Sequence, residues 1–172
     1  MRLDLGPLDR LPAERAFVVE GQFEPMTVGG EAIEFEGAAV ASGRVERLGG
    51  GARLVGEVVA PVRLRCGRCL DRFATTLRGA LEIVLVGTTA GADDESLPYV
   101  EQFDLAPAVE EAIVLELPVR PLCRPDCEGL CPRCGGRRED GCGCADAALE
   151  GPVPGSVGER LRRRSEAARD ER

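Results

Sequence analysis

Eight cysteines and no histidine set the chemistry open to this chain. Six of them, Cys123, Cys127, Cys131, Cys134, Cys142 and Cys144, fall within 22 residues, in "LCRPDCEGLCPRCGGRREDGCGCAD". The other two, Cys66 and Cys69, stand far upstream in "LRCGRCL". The missing histidine removes the usual general base near neutral pH and leaves cysteine as the one common soft metal ligand. "CGRCL" and "CPRCG" are both Cys-x-x-Cys turns, whose two intervening residues let both sulfurs converge on one tetrahedral ion. Eight thiolates divide into two four-cysteine sites, and structural zinc is the leading reading. Such a site is closed, with no open coordination position, so it implies scaffolding rather than catalysis.

Other readings of the thiols fit less well. Structural disulfides need an oxidising compartment, and a redox dithiol is typically one Cys-x-x-Cys on a βαβ frame. Free thiols without metal are the bland alternative, and a zinc site that oxidation opens is a further one. Counting thiols does not separate zinc from an iron–sulfur cluster, which also takes four thiolates. Spacing leaves the pairing open too. Cys123, Cys127, Cys131 and Cys134 form one local site, with Cys66 and Cys69 joining Cys142 and Cys144, or Cys66 and Cys69 meet Cys131 and Cys134.

Charge follows the cysteines. The net charge is −8, against nonspecific nucleic-acid binding, yet residues 61–80 carry five arginines and one acid, and residues 119–138 five arginines and two acids. All basic residues are arginine. Four thiolates around a divalent ion leave a net charge of about −2, which Arg65, Arg68, Arg133 and Arg137 offset. Arg63, Arg65, Arg68, Arg72, Arg120, Arg133, Arg137 and Arg138 are the candidate contacts for nucleic acid or another partner. The densest acidic stretch, "ADDES" (92–96), has the carboxylates that metal-assisted hydrolysis wants. Its loop composition is that of plain solvation, so no enzyme is expected.

The elements that position these residues read as α+β: mainly antiparallel strands, one principal helix at about 104–117, and a C-terminal cysteine-rich zinc-binding knob. "EAIEFEGAAVASGRVERL" (31–48), "ARLVGEVVAPVRLRC" (52–66) and "FATTLRGALEIVLVG" (73–87) alternate with period two. Leu54, Val58, Val62 and Leu64 point inward, Gly49–Gly51 turn the chain, and Pro61 marks an edge or a bulge. In "FDLAPAVEEAIVLELP" the period lengthens: Leu105, Val109, Ala112, Ile113 and Leu117 share a helix face, Asp104 caps it and Pro118 ends it. The expected organisation is a β domain with its helix over 1–118 and a cysteine-rich segment packed on it over 119–150. Residues 151–172 then form a linker and a charged tail, for which helix and disorder both stand open. The start has no basic stretch followed by an apolar one, so it does not read as a signal peptide, and no apolar run reaches bilayer length. A cytoplasmic protein with no membrane partner is expected.

"VRLRCGRCLDRF", "FDLAPAVEEAIVLELPVRPLC" and "DCEGLCPRCGGRREDGCGC", in that order and spacing, resemble the YceD family of large ribosomal RNA subunit accumulation proteins. The resemblance spans roughly residues 60–146 and rests on Leu70 after the first Cys-x-x-Cys, Asp104-Leu105, Leu117-Pro118, Gly129-Leu130-Cys131-Pro132, Cys134-Gly135 and Cys142-x-Cys144. Where members often carry an Asn-Leu-Asn-like stretch, this chain has "GRRED". The resemblance implies a noncatalytic role in accumulation of large-subunit (23S) ribosomal RNA. Its expected partner is precursor RNA or a large-subunit ribosomal protein. Some relatives lack the C-terminal cysteines, which implies that this cluster is an accessory to the fold.

Overall fold

The alternation between Gly51 and Arg65 builds the strand on which the rest of the fold is organised. In the computed structural model, which describes residues 1–87, 96–141 and 144, Leu54, Val58, Ala60, Val62 and Leu64 are buried while Glu57, Arg63 and Arg65 are exposed. This strand, β6 (Gly51–Arg65), follows β1 (Arg2–Asp4), β2 (Glu14–Gly21), β3 (Met26–Val28), β4 (Glu31–Phe35) and β5 (Ala39–Leu48). After it come β7 (Arg72–Val86), β8 (Leu97–Pro98), β9 (Gln102–Asp104) and the helix α1 (Ala106–Leu115). β6 and β7 pair antiparallel along their whole length, from Gly51 opposite Val86 to Arg65 opposite Arg72. The connection at the far end of this hairpin is Cys66–Asp71, so the first Cys-x-x-Cys sits at the tip of a 15-residue strand pair.

On its other edge β6 has two partners in succession. β5 pairs with residues 51–59 through the Gly49-Gly50 turn, and β2 lies outside β5. β4 then takes over at Val62 and Arg63, with β3 beyond it. Pro61 lies at this changeover, opposite Thr76 of β7. The expected edge or bulge is therefore corrected: Pro61 is inside a central strand. In a strand the N–H and C=O of one residue point the same way, and the Pro61 carbonyl accepts the Glu36 N–H on the β4 side. The missing proline N–H lies on that same side, at the point where pairing with β5 has ended and β4 begins, and the strand tolerates its loss there.

The helix forms where the period lengthens, and it is shorter than the sequence suggests. Its span is Ala106–Leu115 rather than 104–117, because Asp104 belongs to β9 and pairs with Arg2. Leu105 is already in helical conformation, and the Asp104 carboxylate accepts the Ala106 N–H at 3.0 Å, so Asp104 still caps the first turn. Leu105, Val109, Ala112 and Ile113 are buried and Leu117 partly so. Each large apolar side chain on that face contributes about 1.5–3 kcal/mol by leaving water. α1 packs on β7, and Gly79 permits the approach: a Cβ there would stand 2.7 Å from the Ala112 carbonyl oxygen.

Mainly antiparallel sheet with one helix is thus the architecture, with one short parallel pairing of β7 with β8. The chain divides into two compact units, Met1–Cys127 and Glu128–Arg172. Residues 119–127, which the sequence reading places in the cysteine-rich segment, lie within the first unit. Cys142, most of "ADDES" and the 151–172 tail lie outside the described residues. Among the described residues no helix is long and apolar enough to cross a membrane.

Candidate metal centres

The tip of the β6–β7 hairpin is a tight knuckle built by backbone bonds. The Leu70 N–H donates to the Cys66 carbonyl at 3.0 Å, and the Cys66 N–H donates to the Asp71 carbonyl at 2.8 Å. Closing it requires Leu70 to adopt a left-handed backbone with φ 64°, the one positive φ among the described non-glycine residues. The second Cys-x-x-Cys repeats the same device. Gly135 N–H donates to the Cys131 carbonyl at 2.8 Å, Cys131 N–H to the Gly136 carbonyl at 2.7 Å, and Gly135 has φ 71°. Glycine takes that conformation at no steric cost, whereas leucine pays for it.

The segment after α1 returns to the first knuckle. Gly67 donates its N–H to the Pro121 carbonyl at 2.8 Å, which brings Cys123 and Cys127 against Cys66 and Cys69. All four sulfurs lie within 4.8 Å of one another. Cys66 and Cys127 sulfurs are 3.8 Å apart and Cys69 and Cys123 sulfurs 3.7 Å apart. A disulfide needs about 2.05 Å, whereas four sulfurs at about 2.3 Å from a tetrahedral ion stand about 3.8 Å from each other. The four sulfurs are placed so that they could hold one metal ion. Cys66, Cys69 and Cys127 are buried, with Phe73, Leu122 and half-buried Cys123 packed around them.

Protonation in this cluster is uneven. Burial alone raises the Cys66 thiol, but the N–H groups of Cys69, Cys123 and Arg68 outweigh it and hold Cys66 down at about 6. The Arg68 N–H lies 3.4 Å from the Cys66 sulfur. At Cys69 the Asp71 N–H favours the thiolate, but burial and the neighbouring Cys66, Asp71 and Cys123 together push it up to about 12. Burial also raises Cys123. Like charges this close disfavour each other, so four thiolates coexist here only around a cation.

A second group, Cys131, Cys134 and Cys144, also has its sulfurs within 4.8 Å. Cys131 is buried, Cys144 half-buried and Cys134 exposed. Hydrogen bonding and charge from Cys134 push the Cys144 thiol up to about 11. Both pairings drawn from spacing are therefore corrected. Cys123 and Cys127 join Cys66 and Cys69, and Cys131 and Cys134 join Cys144. The seven described cysteines fall into a group of four and a group of three, and the eighth, Cys142, is outside the described residues.

The structure brings three of the eight candidate arginines together. Arg63, Arg65 and Arg72 line a polar pocket of about 140 Å³ with Glu31 and Glu34. Arg63 pairs with Glu36 and Arg72 with Glu34, so two of the three are neutralised. Arg68 is used internally, donating from Nη1 to the Cys127 carbonyl at 2.7 Å. Arg120 is exposed, and Arg133, Arg137 and Arg138 are exposed in the second unit. What spacing did not reveal is the Pro121 carbonyl and the apolar backing of Phe73 and Leu122. The only sign in the sequence is that both turns have the same length before "LD" and "GG".

Residues 54–151, which contain every cysteine, match the family model described as large ribosomal RNA subunit accumulation protein YceD. The chain belongs to the YceD family. The family name ties it to accumulation of large-subunit ribosomal RNA. The chain is also 32% identical over 147 residues to uncharacterized proteins of Mycobacterium bovis and Mycobacterium tuberculosis, covering 78% of this chain and 69% of theirs. An uncharacterized protein of Mycobacterium leprae is 31% identical over 102 residues, 54% of this chain and 45% of its own. No solved structure matches significantly.

Proposed function

We propose that this YceD protein is a noncatalytic, cytoplasmic ribosome-biogenesis factor that supports accumulation of large-subunit ribosomal RNA. It does so by holding precursor RNA or a large-subunit ribosomal protein. The observation that carries the reading is the family match over residues 54–151. The metal chemistry agrees with a scaffold. Zinc is the ion proposed, since an all-thiolate tetrahedral set with sulfurs 3.7 and 3.8 Å apart suits it. Cys66, Cys69, Cys123 and Cys127 would hold one ion; Cys131, Cys134 and Cys144, with Cys142, would hold the other. A zinc ion in four thiolates has no free position for substrate, so its contribution is to fix the hairpin tip and the 118–127 segment. Arg65 and Arg120, exposed on the first unit, are the side chains offered to the partner.

Crosslinking in growing cells tests the proposal. Recovery of large-subunit precursor RNA or a large-subunit ribosomal protein is the expected result, and depletion of the protein should lower large-subunit RNA relative to small-subunit RNA. Recovery of neither partner would sink it.

A further inference from the structure

The two knuckles share a backbone but not a covering. In the first, positions four and five after the leading cysteine are Leu70 and Asp71; in the second they are Gly135 and Gly136. Gly136 lies beside the Cys134 sulfur, and a Cβ placed on it would stand 3.4 Å from that sulfur. Its absence leaves the sulfur uncovered on that side. In the first centre Cys66 and Cys127 are 0% exposed, Cys69 is 6% exposed and Phe73 and Leu122 pack against the cluster. In the second, Cys131 is equally sheltered at 5%, but Cys134 is exposed and Cys144 half-buried. The sheltered thiol of this trio is also the one whose N–H and carbonyl are both tied into the knuckle.

We propose that Cys134 is a site of reversible oxidation, through which the second centre gives up its metal while the first keeps its own. The reagent class is a hydroperoxide. The Cys134 thiolate attacks the hydroxyl oxygen of the hydroperoxide, the O–O bond breaks, and hydroxide (or alkoxide) leaves, giving a sulfenic acid that keeps the hydrogen of the transferred hydroxyl. The Cys144 thiolate, within 4.8 Å, then attacks the Cys134 sulfur and expels the second oxygen as hydroxide. A Cys134–Cys144 disulfide forms, two electrons pass from the two sulfurs to the peroxide, and the two departing oxyanions take protons from solvent. The metal loses two thiolate ligands at once and dissociates. Cys131 is not the resolving thiol because it is buried and held by its backbone bonds. The first centre resists because an oxidant must reach a thiolate to react with it.

This inference rests on both centres binding zinc, and the test separates the two. Full-length zinc-loaded protein is treated with hydrogen peroxide in the presence of a chromogenic zinc chelator. One zinc per chain should leave in a fast phase, roughly tenfold or more faster than the other. The second should leave slowly, and denaturation should release whatever remains bound. Peptide mapping should find Cys134 joined to Cys144, and dithiothreitol with added zinc should restore the starting metal content. Cys134→Ser should abolish the fast phase and retain the slow zinc. If that variant does not fold, the disulfide map of the wild-type chain decides. Two zinc ions leaving at one rate, or oxidation appearing first at Cys66, Cys69, Cys123 or Cys127, would overturn the inference and leave the metal reading intact. A chain that binds no zinc would overturn both.

Discussion

Leu70 and Gly135 occupy the same place in two copies of one knuckle, at φ 64° and 71°. A non-glycine residue in that region costs about 1–3 kcal/mol, and Leu70 is 54% exposed, so little apolar burial offsets the cost. Leu70→Gly should therefore raise stability by about 1 kcal/mol after allowing for the added chain entropy of glycine. Gly135→Ala should lower the affinity of the second centre by about 1 kcal/mol, roughly fivefold. Denaturant unfolding reads the first and competition with a zinc chelator the second. Unchanged values in both would mean that the left-handed backbone carries no cost for a side chain at either turn. Cys66→Ser should be far more severe. It removes a ligand that is 0% exposed, and because metal binding is folding free energy, several kcal/mol should go with the ion. Metal analysis should then find one equivalent fewer per chain.

At the level of elements, Gly79 and Asp104 fix α1. A methyl on Gly79 would meet the Ala112 carbonyl oxygen at 2.7 Å and its Cβ at 3.1 Å. Gly79→Ala should lift the helix from β7 at a cost of about 1–3 kcal/mol, measured as a fall in the thermal midpoint. The Asp104 carboxyl is held below its ordinary value, first by the Ala106 N–H and then by the Met1 ammonium. A carboxyl lowered on folding contributes stability above its unfolded value of about 3.9, and that stability is lost as pH falls through the lower folded value. Asp104→Ala should thus cost about 1 kcal/mol at neutral pH, as a lost cap does, and the two denaturation curves should converge in acid. Parallel curves at every pH would show that the cap does not matter.

The period of Leu54, Val58, Val62 and Leu64, and of Leu105, Val109, Ala112 and Ile113, made the hairpin and helix legible, because local periodicity reports one-sided burial. The cysteine grouping was not legible. It depends on the Gly67–Pro121 bond, a contact between residues far apart in sequence that no spacing rule encodes. Pro61 misled for a similar reason: which side of a strand lacks a partner is decided by where β5 ends and β4 begins.

For the molecule as a whole, a net charge of −8 repels polyanions at long range. RNA contact would therefore depend on a few local cations. Among the first unit's candidates, Arg63 and Arg72 are paired with glutamates and Arg68 is turned toward the Cys127 carbonyl. Arg65 and Arg120 are left exposed. Each phosphate contact adds about 0.7 to the steepness with which affinity for single-stranded RNA falls with salt. Combining Arg65→Glu with Arg120→Glu should thus flatten the log–log salt dependence of binding to large-subunit precursor RNA by about 1.4. Surface charges of this kind contribute about 0–1 kcal/mol to stability, so the melting transition should barely move. Arg63→Glu, which exchanges a neutralised arginine for a second acid beside Glu36, should weaken binding most at low salt, the difference shrinking as salt screens the added charge. If the double reversal leaves the slope unchanged while crosslinking in cells still recovers a large-subunit component, the contact is with a ribosomal protein, and these two arginines are solvated side chains beside a structural metal.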